Sequence, residues 1–152
     1  MHAVYFDGTF MGYRDAIGAM RPKGTKWFIS ISSRSGLVGI PGAAGYASSK
    51  TAIRNHTRTV ALWCAQQGLA IRCNAILPTA IMTPMWDPMM CTGPDRDDKA
   101  AALDADTPLR RFGTPEEVAT LAVLLVGDEG RDMIGTDLSR DGGLLAGSAA
   151  PG

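Results

Sequence analysis

Apolar residues recur at helical spacing in two long stretches of the chain. The first stripe predicts an amphipathic helix, because its members follow one another at intervals of three and four residues: Phe6, Phe10, Tyr13, Ile17 and Met20. The segment Arg21-Pro22-Lys23-Gly24, with its proline and glycine, predicts the end of that helix. A second and longer helix is predicted over residues 46–67, with Gly68 as its end.

A third helix carries the clearest local signal in the sequence. Thr114 is a favourable N-cap, Pro115 suits the first helical position, and Glu117 completes a capping box. The helix is predicted to run to about Gly127. Residues 84–106 before it are rich in Pro, Met, Asp and Gly, which predicts a loop with a short helix over 97–105.

Three segments have the pattern of β-strands. Residues 27–32 form a short apolar run, which predicts a buried strand. Residues 71–77 predict a second strand that ends before Pro78, with four residues alternating onto one face: Ile71, Cys73, Ala75 and Leu77. A third, shorter strand is predicted over residues 136–140.

Helix and strand patterns therefore alternate along the chain. This order predicts an α/β fold of about three parallel strands joined by right-handed crossovers, with helices on both faces, as in part of a doubly wound sheet. In such sheets ligands bind outside the carboxyl ends of the strands. The residues after Ile31 and those after Leu77 are the two places that qualify.

Composition narrows the function classes. Lys plus Arg and Asp plus Glu both number 15, and 45% of residues are hydrophobic. A zero formal charge argues against nucleic acid as a partner. The membrane is also excluded as a partner, since the longest apolar run, 118–126, is far below the ~20 residues of a membrane helix. Residues 1–10 have neither the basic start nor the apolar run of a signal peptide.

The cysteines and histidines predict the cellular compartment and argue against a metal site. The chain has three cysteines and no C-x-x-C pair, which predicts reduced thiols in a cytoplasmic protein: Cys64, Cys73 and Cys91. With only His2 and His56 present, no metal site is predicted. His56 stands among polar and basic helix residues and is expected to be solvated.

Polar side chains that can take part in proton transfer follow the first strand. Ser32 and Ser33 follow the first strand, and Tyr46 and Lys50 share one face of the next helix, one turn apart. A phenol has a pKa near 10, and an adjacent ammonium group lowers it. A serine hydroxyl can hold a substrate oxygen by hydrogen bonding. Together these groups suit proton transfer to or from an alcohol or carbonyl.

These residues and their surroundings resemble the core of the short-chain dehydrogenase/reductase family. Ser33 stands 13 residues before Tyr46, as the family's strand-end serine does. The family's Y-x-A-S-K motif is present with serine in place of alanine, as Tyr46-Ala47-Ser48-Ser49-Lys50. Further family markers are matched by Arg72–Pro78, Arg111–Ala119 and Asp141-Gly142-Gly143. The likeness covers nearly the whole chain.

The resemblance implies roles for the site residues. Tyr46 would be the general acid/base, Lys50 would lower the pKa of Tyr46 and bind the nicotinamide ribose, and Ser33 would orient the substrate. The reaction would be reversible hydride transfer between NAD or NADP and a small-molecule secondary alcohol or ketone. The nicotinamide pocket would be lined by Pro78, Ile81 and Thr83.

The resemblance also implies a domain organisation. Residues 1–152 would be the C-terminal part of a single NAD(P)-binding, Rossmann-like domain, with a helix in 1–22, a catalytic βαβ unit in 26–77, a substrate lid in 84–110, and the last helix and strand in 114–143. The family's T-G-x-x-x-G-x-G loop and N-N-A-G segment are absent from the sequence. These elements and their neighbours amount to about 100 residues.

The sequence departs from the family pattern at several positions. Tyr5 stands where the family has a catalytic asparagine, and we expect Tyr5 only to pack at the start of the first helix. Thr79 replaces a glycine after Pro78. Arg140 replaces an apolar residue, and a buried, unpaired charge there would be costly.

Two functional readings follow. The first is a truncated oxidoreductase of this family, inactive by itself. The alternative is a non-catalytic remnant or a dimerisation module, which would form a homo-oligomer through helices 7–21 and 46–67 or through an exposed apolar edge at 27–32. A serine hydrolase is excluded because the sequence has no G-x-S-x-G elbow.

Overall fold

The structure is a computed structural model that describes residues 1–21, 24–90 and 94–147. The predicted helices and strands are present, with bounds within two residues of the observed ones, and one further short helix, Asp87–Met90, lies in the segment predicted as a loop. In chain order the elements are α1 (Gly8–Met20), β1 (Lys26–Ile31), α2 (Ala44–Gln66), β2 (Ile71–Pro78), α3 (Asp87–Met90), α4 (Arg96–Asp104), α5 (Pro115–Val126) and β3 (Asp137–Arg140). Among the described helices, none has the length and apolar character needed to cross a membrane.

The three strands form one parallel sheet in the order β1-β2-β3. Ile31 at the end of β1 lies opposite Ile76, and Pro78 at the end of β2 lies opposite Arg140. The predicted α/β class and the parallel, Rossmann-like sheet are therefore confirmed. Because the strands run in the same direction, their carboxyl ends meet at one edge of the sheet.

The middle strand β2 is buried along its whole length. Its apolar side chains meet α1 and α2 in the core, which contains Tyr13, Ile17, Ala61, Cys64, Ile71 and Cys73. Its polar side chains are buried too, and they bond backbone groups in the last turn of α5 and in the segment after it. Arg72 Nη2 donates to the Leu125 carbonyl at 2.7 Å, and Asn74 bonds both Met133 and Thr136. The predicted alternation holds, but both faces are covered.

The two core cysteines are free thiols, as the sequence predicts. Burial raises the pKa of the Cys73 thiol to about 12, and it also raises the pKa of Cys64. Both therefore stay protonated at neutral pH. The third cysteine, Cys91, lies outside the described residues, as do Pro22 and Lys23 in the predicted helix end.

Of the two expectations for residues 27–32, the buried strand is wrong and the exposed apolar edge is found. The strand forms as β1, but it lies at the edge of the sheet, and β2 is its only partner among the described strands. Trp27 is 36% exposed and Ile31 is 47% exposed, while Ser30 is buried. The apolar run suits a strand with a neighbouring strand on each side. The described residues provide a neighbour for β1 on one side only.

Strand β3 is fixed to α2 by a partly buried ion pair. Arg54 Nη2 lies 2.6 Å from Asp137 Oδ2, and each of the two side chains is 12% exposed. Arg58 reaches the same carboxylate oxygen from one turn further along α2. This pairing holds the short third strand against the long helix.

Arg140 is not the unpaired charge that the sequence suggests. Its Nε donates to the Glu117 carbonyl at 3.1 Å, and the side chain is only half-buried. The capping box predicted at the start of α5 is present, since Thr114 and Glu117 bond each other's backbone N–H. Glu117 also pairs with Arg111 at 2.6 Å. The Arg140 charge is therefore partnered within this polar group.

Candidate active site

Tyr46 and Lys50 lie one turn apart near the start of α2, and the chain after β1 packs closely against this helix. A Cβ added to Gly36 would lie 3.0 Å from the carbonyl carbon and oxygen of Lys50, and 2.9 Å from Cδ of Arg54. A side chain does not fit in that space without a shift. Thr51 and Arg54 both donate to the Gly36 carbonyl. This approach fixes α2 relative to the end of β1.

The ammonium group of Lys50 is held between a carbonyl and an aromatic ring. Lys50 is 7% exposed, and its Nζ donates to the Ile31 carbonyl at 2.9 Å. The same Nζ lies 5.6 Å from the ring centroid of Tyr46. Burial lowers the pKa of Lys50 below its usual value. The structure therefore brings Tyr46 and Lys50 together at the carboxyl end of β1.

Ser33 lies in the turn that follows β1. Its side chain is buried and caps a short helical turn, Arg34–Gly36. The Ser33 hydroxyl donates to Ser35 Oγ at 3.2 Å and accepts from the Ser35 backbone N–H at 3.2 Å. The neighbouring Ser32 donates to the Lys50 carbonyl at 2.8 Å. Both serines are thus fixed to the same end of β1 that receives Lys50.

Tyr5 is the residue at this site that sequence reasoning missed. It does pack at the start of the first helix, in a π-helical turn, Ala3–Asp7, but its neighbours are the site residues themselves. Its ring contacts the Tyr46 ring edge to face at 5.6 Å, and it lies 4.8 Å from Lys50 Nζ. The signal in the sequence was its position, where the resembled family has a site residue.

Pro78, Ile81 and Thr83 lie at the carboxyl end of β2. Pro78 is buried, and the other two are half-buried. Ile81 pairs with Gly113 in a parallel bridge, and Trp86 Nε1 donates to the Ile81 carbonyl at 2.9 Å. The Thr83 side chain does not cap the helical turn that begins after it. The backbone at Ile81 is therefore fixed from two sides.

The two groups of site residues occupy neighbouring strand ends. Ile31 lies opposite Ile76, and the Ser32 N–H donates to the Ile76 carbonyl at 2.9 Å. Strand β2 continues from there to Pro78. A recess of about 510 Å³ lies at the opposite end of the sheet, between Trp27 and Ile134, and is separate from these residues.

His56 does not lie in solvent as expected. It is half-buried in α2, and its ring contacts those of Phe6, Phe10 and Tyr13 at 5.9, 5.4 and 5.1 Å between centroids. Its Nε2 is buried, with no hydrogen-bond partner among the described residues. Burial lowers the pKa of His56. The polar neighbours in sequence misled the prediction, because the aromatic rings come from α1 and the turn before it.

The arrangement has a definite chemical capacity. A phenol beside an ammonium group can give a proton to a carbonyl oxygen or take one from an alcohol. The carboxyl end of a parallel sheet is where a ligand of this fold class binds. The polar groups at the end of β1 thus suit a ligand that carries an alcohol or carbonyl oxygen.

Comparisons with known proteins show the family to which the chain is related. A family model described as "Enoyl-(Acyl carrier protein) reductase" matches residues 1–145. The 2-(S)-hydroxypropyl-CoM dehydrogenase 3 of Xanthobacter autotrophicus is 36% identical over 147 residues, which are 95% of this chain and 56% of that protein. The inactive 2-(S)-hydroxypropyl-CoM dehydrogenase 2 of the same organism is 34% identical, over 95% of this chain and 62% of that protein.

Solved structures show the same fold. A 4-hydroxyisoleucine dehydrogenase mutant complexed with NADH and succinate matches with a TM-score of 0.86 and 25% identity, over 97% of this chain and 59% of that one. The chain thus spans between half and two thirds of the length of these relatives. Because the family model covers residues 1–145 and these relatives are dehydrogenases that match over almost the whole chain, the chain belongs to the short-chain dehydrogenase/reductase family.

Proposed function

We propose that this chain carries the proton-transfer and nicotinamide-facing part of an NAD(P)-dependent oxidoreductase, which interconverts a secondary alcohol and a ketone. The observation that carries the proposal is the confined ammonium of Lys50, bonded to the Ile31 carbonyl and 5.6 Å from the Tyr46 ring centroid. The dehydrogenase names of the relatives, and the NADH held by a solved neighbour, support this reaction class.

Tyr46 is the proposed general acid/base. In alcohol oxidation its phenolate takes the hydroxyl proton, and in ketone reduction its phenol returns that proton to the carbonyl oxygen. A bound nicotinamide would exchange a hydride with the substrate carbon atom that bears this oxygen. Lys50 has three N–H groups, of which the Ile31 carbonyl takes one, so the others remain for the Tyr46 oxygen and a cofactor ribose. Its positive charge favours the phenolate.

Ser33 is the proposed residue that orients the substrate. Its hydroxyl proton is shared with Ser35 at 3.2 Å, a long distance for a hydrogen bond between hydroxyls. A substrate oxygen would accept the hydrogen bond from Ser33 in place of Ser35 Oγ. The backbone N–H of Ser35 would keep the Ser33 oxygen fixed during the exchange.

The residues at the end of β2 fit a nicotinamide. The Thr83 side chain makes no cap to its own turn and is free of that role. Ile81 is fixed by Gly113 and Trp86, and Pro78 is buried beside it. A hydroxyl next to fixed apolar groups matches a carboxamide on a flat ring. We propose that Pro78, Ile81 and Thr83, with Tyr46 and Lys50, hold the nicotinamide end of the cofactor.

Reduced nicotinamide mononucleotide tests this assignment, because it carries the nicotinamide end without the adenylate. In an NMR titration, we expect the amide signals of Ile81 and Thr83 to shift. Lys50→Met removes a charge-assisted hydrogen bond and should weaken binding about tenfold. Lys26→Met, at the opposite end of β1, is the control and should bind as the wild type does. Equal affinity in the Lys50 and wild-type proteins would contradict the assignment.

Turnover is a separate question. The 152 residues contain no G-x-G-x-x-G loop for the cofactor diphosphate, so we expect negligible NADH or NADPH oxidation by this chain with apolar ketones. Strong turnover that is lost in Tyr46→Phe would overturn that expectation. It would also show that the residues present are sufficient for catalysis.

The substrate is proposed to be apolar. In the predicted lid, residues 84–110, Met85 is 72% exposed and Met89 is 61% exposed. Methionine adapts to irregular apolar ligands because its side chain is unbranched and flexible. A longer alkyl or cyclic ketone should therefore protect these methionines from oxidation better than acetone does.

A second candidate function is assembly with another copy, and a specific observation favours it. Helices α1 and α2 leave several large apolar side chains exposed, namely Phe10, Met11, Leu62 and Trp63. The proposal is a homo-oligomer through helices 7–21 and 46–67. Sedimentation velocity should then show a dimer that Leu62→Lys converts to monomer. A monomer at every concentration would exclude this function.

A further inference from the structure

The turn before α1 is seated on the first turns of α2. The Tyr5 N–H donates to the Met1 carbonyl at 3.0 Å, and Thr9 Oγ1 donates to the Tyr5 carbonyl at 2.7 Å. His2 Nε2 lies 2.8 Å from Ser48 Oγ, in the turn of α2 between Tyr46 and Lys50. These bonds hold the Tyr5 backbone from both sides. The Tyr5 ring therefore has a defined place above the helix.

That place puts the Tyr5 ring against the Lys50 ammonium. The Nζ lies 4.8 Å from the Tyr5 ring centroid and 5.6 Å from the Tyr46 centroid, so the charge is nearer to Tyr5. Both distances fall within the range of about 6 Å over which a cation is attracted to the face of a ring. The two rings meet edge to face, at 83°. With the Ile31 carbonyl, they confine the ammonium from three directions.

We propose that Tyr5 is a positioning residue, whose ring holds the ammonium of Lys50 at Tyr46. This inference rests on the proposed function only for the consequence of that position, which is proton transfer at Tyr46. The contact itself is a property of the chain as it stands. Tyr5 acts through Lys50 and Tyr46 and not on the substrate itself. Its effect on the pKa of Lys50 is therefore present before any substrate binds.

The physical reason is a balance of two effects on Lys50. Burial disfavours the charged ammonium and lowers the pKa of Lys50. The ring face of Tyr5 and the Ile31 carbonyl favour the charged form. The groups that face this ammonium are Tyr5 from the N-terminal turn, Tyr46 from α2 and the carbonyl from β1. When the Tyr5 ring is removed, one of the contacts that stabilise the charged ammonium is lost. The pKa of Lys50 should therefore fall further.

The test is an NMR titration of the lysine side chains in the 152-residue protein. The sequence has four lysines, and Lys50→Met identifies the Lys50 signal. Tyr5→Leu should lower the pKa of Lys50 by about half a unit, since a cation–ring contact of this kind is worth a few tenths to one unit. Tyr5→Phe keeps the ring and should leave the value at that of the wild type. Phe10→Leu removes a nearby ring that contacts His56, and it should also have no effect.

Each outcome decides the matter. An unchanged Lys50 pKa in Tyr5→Leu overturns the proposal, and so does an equal shift in Tyr5→Phe or Phe10→Leu. Circular dichroism shows whether Tyr5→Leu is folded; if it is not, Tyr5→Met, which is of similar bulk without a ring, takes its place. A Lys50 shift as expected, together with no binding of reduced nicotinamide mononucleotide, would uphold the contact and reject the proposed function.

Discussion

The two strand ends that make up the site are built in different ways. At the end of β1, the polar side chains of Ser32, Ser33, Lys50 and Arg54 each bond a backbone group of another residue, namely Lys50, Ser35, Ile31 and Gly36 in that order. The end of β2 is fixed through its backbone, by Gly113 and Trp86 at Ile81, and its next segment exposes methionines. The first end has its partners in place. The second presents apolar surface.

The difference teaches where order comes from in this site. Buried hydrogen bonds of polar side chains specify one arrangement, because each group left without its partner would cost free energy. Exposed apolar side chains impose no such condition. We therefore expect the end of β1 to be sensitive to small changes in the chain. The end of β2 should tolerate similar changes.

The largest effect should come from Asp137→Ala. Arg54 connects the Gly36 carbonyl at the first end with Asp137 in β3, and its side chain is 12% exposed. Without Asp137 a nearly buried charge loses its counter-ion, which costs about 3 kcal/mol in the free energy of unfolding. Urea denaturation measures this loss. Asp15→Ala, which breaks the exposed pair with Arg14, is the matched control and should leave the urea midpoint unchanged.

A glycine at each end allows a direct comparison. In Gly36→Ala the new Cβ meets the Lys50 backbone at 3.0 Å, and a backbone cannot give way easily. Such overpacking costs about 2 kcal/mol. In Gly113→Ala the new Cβ meets the Ile81 side chain at 2.6 Å, which can change its rotamer. We expect a smaller loss of stability there, and equal losses would remove the distinction between the two ends.

The smallest effects should be two separate dependences on pH. His56, further along the helix that carries Lys50, has a lowered pKa in the folded state because it is buried. Its contribution to stability is complete above the unfolded value near 6.5 and is lost as pH falls through the folded value. His56→Gln should therefore flatten the stability curve between pH 7 and 5.

Glu117, beside the second end, acts in a more acidic range. Arg111 and the Thr114 backbone lower the pKa of Glu117 from 4.5 to about 2. The carboxylate's contribution is present above pH 4.5 and is lost as pH falls towards 2. Glu117→Gln should flatten the curve in this range alone. A change in the range of His56 would mean that the two ends are coupled.

Much of the fold could be read from the sequence because its signals are local. The capping box at Thr114 needs only four consecutive residues, and the helical spacing of Tyr46 and Lys50 puts them on one face whatever surrounds them. The parallel sheet followed from the alternation of elements. The end of each strand, and with it the place of the site, followed from that order.

The features that escaped prediction depend on contacts between distant segments. Tyr5 meets Lys50 across 45 positions of sequence, and the rings around His56 come from α1 and from the turn before it. Arg140 finds the Glu117 carbonyl only because β3 lies beside α5. The apolar run of β1 by itself overstates the burial of the strand, because it does not reveal how many neighbouring strands there are; the exposed edge was expected only from the family resemblance.

The edge position of β1 has a consequence on the scale of single amide protons. The N–H groups of Lys26 and Ser32 donate towards β2, to the carbonyls of Ala70 and Ile76. Because successive residues of a strand alternate, the N–H groups of Trp27, Ile29 and Ile31 point away from the sheet. Hydrogen–deuterium exchange along β1 should therefore alternate between slow and fast from one residue to the next. In β2, Ala75 and Ile76 lie between β1 and β3, and the exchange should be slow at both residues.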